Sequence, residues 1–96
     1  MTNYEIMFIV KATMESDQVK ATAEALKNII TSEGGKVSEF KELGEKKLAY
    51  PIKKELNGYY FVMQVEATAE AEAEFNRKAS LNENVLRHLI IKLDEE

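Results

Sequence analysis

Apolar positions alternate in the first segment of the chain and recur at helical spacing in the next. Residues 4–10 read Tyr-Glu-Ile-Met-Phe-Ile-Val, and all the even positions are apolar, which is typical of a β-strand. A helix is predicted from Ser16 or Asp17, either of which can cap it, to about Ser32. Its apolar stripe consists of Val19, Ala23, Leu26 and Ile30. Gly34-Gly35 follows where a left-handed helix end is expected.

The middle of the chain predicts two paired strands. Residues 36–52 are expected to be extended, with a bulge or bend at Gly44. Asn57-Gly58 is a frequent pair in two-residue hairpin turns and predicts the turn into a strand at 59–65. The odd positions of that strand are all apolar and are assigned to the core: Tyr59, Phe61, Met63 and Val65.

The last third of the chain predicts a second helix and a fourth strand. Thr68 is expected to cap the helix, which ends before Asn82. The apolar face of this helix consists of Ala71, Phe75 and Ala79. Residues 85–92 predict the last strand, but Arg87-His88 interrupts its alternation, so its two faces stay ambiguous.

The order strand, helix, strand, strand, helix, strand predicts an α+β fold of the ferredoxin-like βαββαβ type. In it, a four-stranded antiparallel sheet carries two helices on one face. The crossovers place the first and third strands in the centre and the second and fourth at the edges. Pro51, the single proline, fits an edge strand. We expect one domain over residues 1–96, with a short acidic tail at about 93–96.

Composition excludes several classes of protein and leaves one question of charge. The chain has no cysteine, which excludes disulfides and thiolate metal sites, and no cofactor is expected. Without an apolar stretch of membrane-spanning length or a signal peptide, a soluble cytoplasmic protein is expected. The net charge is −4, but five of 14 residues in segment 41–54 are basic and only two are acidic. Residues 77–92 contain four basic residues and one acidic residue, so the two segments form either one anion-binding face or ordinary solvated surface.

Catalytic chemistry finds little support in the sequence. His88 is the single histidine, and a packed or surface role suits it better than catalysis. No glycine-rich loop follows the first strand, so the phosphate cradle of a small acylphosphatase-like enzyme is missing. The serines lack the setting of an activated nucleophile. We expect no enzymatic activity.

Residues 57–64 resemble, superficially, the third-strand signature of RNA recognition motifs. In such motifs the stacking aromatic residues face away from the helices. Here those residues would be Tyr59 and Phe61, which belong to the apolar face and favour core packing instead. The opposite face of the sheet would show four apolar residues and is the predicted face for a protein partner: Met7, Ile9, Tyr60 and Val62.

Several short motifs occur together in an order that resembles a known family. The most specific is Leu48-Ala49-Tyr50-Pro51-Ile52, preceded by basic residues. Met-x-x-Tyr-Glu at the start, Asn57-Gly58-Tyr59, Gln64-Val65-Glu66 and Asn84-Val85 with a basic residue after it complete the set. Over essentially the whole chain, the sequence resembles the family of the sixth protein of the bacterial small ribosomal subunit. The resemblance implies a structural ribosomal protein that pairs with the eighteenth small-subunit protein and binds the central domain of small-subunit ribosomal RNA during assembly.

The resemblance also implies which residues meet RNA. Lys46 and Lys47 fall on the family's basic pair, and Arg87 falls on the basic position after Asn-Val. Charge alone adds three weaker candidates: Lys54, Arg77 and Lys78. Tyr50 is a candidate for contact with an unpaired base.

Two departures weaken the expected affinity for RNA. Thr2 and Asn3 stand where the family often has basic residues, and His88 takes the second basic position after Asn-Val. We therefore expect RNA binding mainly in complex with a more basic partner. Two alternatives stay open: a standalone single-stranded RNA-binding module of the RNA-recognition-motif type, and a small homo-oligomeric or regulatory domain of the same fold.

Overall fold

A computed structural model describes residues 2–13 and 15–93, and the six predicted elements follow one another there in the predicted order. The elements are β1 (Thr2–Lys11), α1 (Ser16–Ser32), β2 (Lys36–Ile52), β3 (Glu55–Ala67), α2 (Ala69–Leu81) and β4 (Val85–Lys92). Of the predicted acidic tail, residues 94–96 lie outside the described part of the chain.

The four strands form one antiparallel sheet in the order β2-β3-β1-β4. This order confirms the predicted ferredoxin-like fold, with β1 and β3 in the centre and β2 and β4 at the edges. In the centre, Phe8 on β1 lies opposite Phe61 on β3 and His88 on β4. Residues that lie opposite each other share a face of the sheet, so this register fixes which side chains face the helices.

The core lies between the helices and one face of the sheet. The Phe8 and Phe61 rings stack with centroids 5.2 Å apart, and Phe75 of α2 packs against Phe8 at 6.5 Å. Phe61, Met63 and Val65 are all buried, which confirms the assignment of the odd positions of β3 to the core. Each fully buried side chain of this size stabilises the fold by roughly 1.5–3 kcal/mol.

The prediction for the ends of α1 is confirmed at the C-terminal end only. The residue before the helix is Glu15, which makes no side-chain capping bond, so the predicted cap at Ser16 or Asp17 is wrong. At the other end, Gly34 has a φ of +86°. The Gly34 and Gly35 amides donate to the carbonyls of Thr31 and Ile30, which is the hydrogen-bond pattern of a glycine-terminated helix.

The second helix is capped as predicted. The Ala71 amide donates to Thr68 Oγ1 at 3.1 Å, which satisfies one of the free amides of the first turn. Glu70 and Glu72 also lie in that turn, where negative charge is favourable.

The hairpin between β2 and β3 turns at a different place from the one predicted. Lys53 and Lys54 have φ values of 51° and 69° and form the two-residue turn, with Ile52 opposite Glu55. Asn57 and Gly58 lie inside β3, opposite Lys47 and Lys46, so the prediction of a turn at Asn57-Gly58 is wrong.

Close packing, rather than a turn, explains the glycine at position 58. A Cβ placed on Gly58 would lie 2.3 Å from Cγ2 of Ile9, so no larger residue fits without displacing Ile9. The bulge predicted at Gly44 is confirmed. The β2–β3 register shifts between Glu42 and Gly44, and the φ of Gly44 is +92°.

Candidate functional site

The face of the sheet opposite the helices, called here the open face, is partly covered by the far half of β2. Ile9, Leu48 and Leu86 form a second, small buried cluster there, with Ile52 and Tyr60 packed against it. The segment 48–54 therefore reaches across the sheet and is called here the hairpin arm.

Two polar contacts tie the hairpin arm to the opposite edge of the sheet. Lys53 Nζ donates to the carbonyl of Val85 at 3.1 Å, and Arg87 Nη1 donates to the hydroxyl of Tyr50 at 2.5 Å. Since β2 and β4 are separated by β3 and β1, these contacts join residues that pairing within the sheet could not bring together.

A mainly apolar groove of about 290 Å³ lies beside the arm on the open face. Its lining consists of Met7, Ile9, Leu48, Ala49, Tyr50, Ile52, Tyr60, Arg87, His88 and Leu89. Arg87 and the exposed Tyr50 supply its charge and its exposed aromatic ring, so the groove combines apolar surface with a cation.

The structure brings together three of the four residues predicted for a protein partner. Met7, Ile9 and Tyr60 line the groove, but Ile9 is only 5% exposed because Leu48 and Leu86 cover it. Val62 lines a separate hollow together with Leu43 and four polar residues: Glu5, Glu39, Lys41 and Gln64. The partner role of all four residues stays a prediction.

Two exposed residues on the open face of β4 escaped the sequence analysis. Leu89 lies opposite Met7 and is 50% exposed, and Ile91 lies opposite Glu5 and is 46% exposed. The sequence signal that could have identified them is the pair of apolar residues at alternate positions, 89 and 91. However, the β1–β4 register shifts where Val10 pairs with Val85. This shift buries two consecutive residues, Val85 and Leu86, and obscures the alternation that follows.

The basic pair of β2 divides between the two faces of the sheet. Lys46 lies on the open face, where its Nζ is 5.8 Å from the centre of the Tyr60 ring. Lys47 is the next residue along the strand and points to the opposite side. Both side chains are exposed, and Lys54 is exposed in the turn at the end of the arm. The open face thus brings together Lys46 and Arg87 among the predicted RNA-binding residues.

Arg77 and Lys78 lie on α2, on the helix-covered side, and both contact one carboxylate. Glu74 Oε2 is 2.9 Å from Arg77 Nη2 and 3.2 Å from Lys78 Nζ. The hydrogen bond from Arg77, followed by that from Lys78, lowers the pKa of Glu74, so it stays ionised beside them. Part of the positive charge predicted for RNA is therefore neutralised locally, away from the groove.

The histidine serves packing between β4 and α2. A ring nitrogen, Nε2, lies 2.7 Å from Oδ1 of Asn76, and the ring meets Phe75 edge-on at 6.2 Å. Burial lowers the pKa of His88.

Within residues 2–13 and 15–93, no group of acidic or histidine side chains is arranged to hold a metal ion, and neither helix could span a membrane.

Comparison with known proteins agrees with this architecture. A family model described as "Ribosomal protein S6" matches residues 3–92. The structure is similar to the crystal structure of 30S ribosomal protein S6 from Thermotoga maritima, with a TM-score of 0.90 and 25% sequence identity. The match covers 96% of this chain and 87% of that one.

Proposed function

The chain belongs to the ribosomal protein S6 family, and we propose that it binds the central domain of small-subunit ribosomal RNA together with the eighteenth small-subunit ribosomal protein during assembly. Its role there is structural, without catalysis or a cofactor, and its place is the ribosome in the cytoplasm. The whole chain, residues 1–96, acts as a single domain in this proposal. The observation that carries the proposal is the open face, where an apolar groove adjoins the basic residues Lys46 and Arg87.

RNA binding is assigned to the hairpin arm and its surroundings. Lys46 and Arg87 hold phosphates on the open face, and Lys54 extends the basic surface to the end of the arm. Lys47 adds a basic side chain on the other side of β2, next to the arm. Contacts of this kind position the RNA backbone without reading its sequence. Tyr50, 56% exposed beside Arg87, offers its ring to an unpaired base.

The protein partner is assigned to the groove. Three residues present apolar surface in the groove: Met7, Tyr60 and Leu89. Its volume of about 290 Å³ is enough for apolar side chains of a partner. Exposed apolar surface of this kind is a common feature of protein-binding sites.

Joint binding, rather than binding by this chain alone, follows from the charges. The net charge is −4, and Glu74 neutralises part of the charge of Arg77 and Lys78. Few phosphate contacts remain for a free chain, and affinity for RNA falls with each contact that is missing. A partner bound in the groove adds its own contacts to the same RNA.

The standalone RNA-recognition-motif alternative is not favoured. Phe61 is 1% exposed and stacked on Phe8, and Tyr59 lies on the same helix-facing side. The open face therefore lacks the two stacking aromatic residues that such a module would use at these positions.

Pairing with the eighteenth protein tests the groove assignment. Met7→Asp introduces a charge into the groove, whereas Val62→Asp introduces it into the separate hollow of the same face. Calorimetric titration should give pairing that is at least about tenfold weaker for Met7→Asp than for Val62→Asp, provided that both variants keep the circular dichroism of the folded chain. Equal weakening would give Val62 the same share in the interface as Met7. Unchanged pairing in both variants would remove the open face from the interface.

A further inference from the structure

The two edges of the sheet differ in how they are protected from pairing with another strand. Along β2, the bulge at Gly44, Pro51 and several lysines all hinder pairing of its outer side. From Arg87 to Lys92, by contrast, β4 pairs regularly with β1 and contains no proline. No other strand within the described residues pairs with the outer side of β4.

The hydrogen-bond pattern identifies which backbone groups of β4 face outward. The Leu93 amide donates to the carbonyl of Asn3, at 2.8 Å, so this residue bonds toward β1. Residues of an antiparallel strand alternate between bonding one neighbour and facing the other side. The amides and carbonyls of His88, Ile90 and Lys92 therefore point away from the sheet.

Two exposed side chains beside this edge are apolar and continue the groove. Leu89 lines the groove and is 50% exposed, and Ile91 follows it on the same face with 46% exposed. A strand added to β4 would bring its own alternate side chains next to both residues.

Charge selects the kind of strand that fits. Within β4, Arg87 and Lys92 are basic and no residue is acidic. A second copy of this chain would bring the same basic residues to the new pair of strands, and like charges opposite one another are unfavourable. An acidic residue is favourable opposite Arg87, and less so opposite Ile91, where Glu5 is the neighbour on β1.

We propose that the outer edge of β4 binds an extended segment of a partner protein as a fifth, antiparallel strand, with apolar residues beside Leu89 and Ile91 and an acidic residue opposite Arg87. This inference deepens the proposed protein-binding role of the open face and rests on it. It adds backbone pairing to the apolar contacts of the groove.

A synthetic peptide tests the inference without ribosomal RNA or the eighteenth protein, so the outcome is separate from that of the proposed function. The probe is acetyl-Thr-Val-Thr-Val-Thr-Glu-Thr-amide, titrated into the full ¹⁵N-labelled chain, and the control peptide has lysine in place of glutamate. The amide signals of His88, Ile90 and Lys92 should shift and exchange more slowly with the acidic peptide. The control peptide should bind about three- to tenfold more weakly, because an opposite-charge pair becomes a like-charge pair.

Two variants separate strand addition from simple charge attraction. Lys92→Pro removes an outward amide, which an edge strand tolerates, and Lys92→Ala is its matched control. The proline variant should bind the peptide several-fold more weakly than the alanine variant while both stay folded.

Three results would overturn the inference. One is equal binding by the two variants or by the two peptides. Another is the absence of shifts in the outward amides at millimolar peptide. The third is concentration-dependent dimerisation of the free chain through β4, which would assign the edge to a second copy instead.

Discussion

The hydroxyl oxygen of Tyr50 lies 2.5 Å from Nη1 of Arg87, although the two residues belong to strands at opposite edges of the sheet. The contact exists because the hairpin arm crosses the open face and covers Ile9. It holds a guanidinium group at the end of an apolar groove, where a long side chain would otherwise sample many rotamers.

Removing this hydroxyl tests whether Tyr50 positions Arg87 for RNA. Tyr50→Phe should weaken binding of the assembled protein pair to central-domain RNA by about three- to tenfold. A hydrogen bond to a charged group is worth roughly 1.5–3 kcal/mol. The effect expected here is smaller because Tyr50 is exposed. A filter-binding assay measures this change. Tyr59→Phe, on the helix-facing side, is the control and should leave the affinity unchanged. If both variants bind like the parent chain, Tyr50 does not position Arg87 for RNA.

Lysine substitutions test which basic residues meet phosphates. Lys46→Ala should reduce the slope of log affinity against log salt by about one, because each phosphate contact releases about one counterion. Lys78→Ala is the matched control: Lys78 lies on α2 and already contacts Glu74, so its loss should change the slope much less. Equal slopes for Lys46→Ala and the parent chain would remove Lys46 from the RNA site.

Gly58 offers a test of the packing beneath the hairpin arm. Gly58→Ala should lower the free energy of unfolding by about 1–3 kcal/mol, because the new Cβ would lie 2.3 Å from Ile9 Cγ2. Asn57→Ala, at the exposed neighbouring position, should change it by less than about 0.5 kcal/mol. Denaturant unfolding of both variants measures the two changes in the free energy of unfolding. Similar effects at the two positions would mean that the Gly58–Ile9 contact relaxes at little cost.

The histidine predicts how stability depends on pH. Burial lowers the pKa of His88 in the folded chain, so the unfolded chain binds the proton more readily. The contribution of His88 to stability is therefore complete above its unfolded pKa of about 6.5 and is lost as the pH falls through that value toward the lower folded pKa.

Denaturant unfolding between about pH 7.5 and pH 5 measures this loss, and comparison with His88→Gln isolates the histidine from the carboxylates that titrate at lower pH. The parent chain should lose more stability than the variant over this range. Parallel pH profiles for the two chains would show that His88 titrates alike in both states.

Periodicity was enough to predict the fold, and it failed where tertiary contacts decide. Alternation on β3 placed Phe61 in the core, and helical spacing placed Leu26 and Phe75 there, because each signal depends only on neighbouring residues. The turn was misplaced for a different reason: Asn57-Gly58 is a strong local signal, but Gly58 is fixed by Ile9, forty-nine positions earlier.

The candidate site was predictable only in part. The basic residues and Met7 could be named from the sequence, but not the crossing of the hairpin arm, which buries Ile9 and joins Tyr50 to Arg87. Charge alone also grouped Arg77 with Lys46, whereas the structure places Arg77 on α2 beside Glu74. Contacts between distant strands are not encoded in local spacing.

The measurement that tests the central claim most directly is the affinity for a central-domain fragment of small-subunit ribosomal RNA, at one fixed salt concentration, with and without the eighteenth small-subunit protein. We predict weak binding by this chain alone and at least about a hundredfold tighter binding of the pair, a coupling of about 2.7 kcal/mol. Tight binding by this chain alone, unchanged by the partner, would contradict the account.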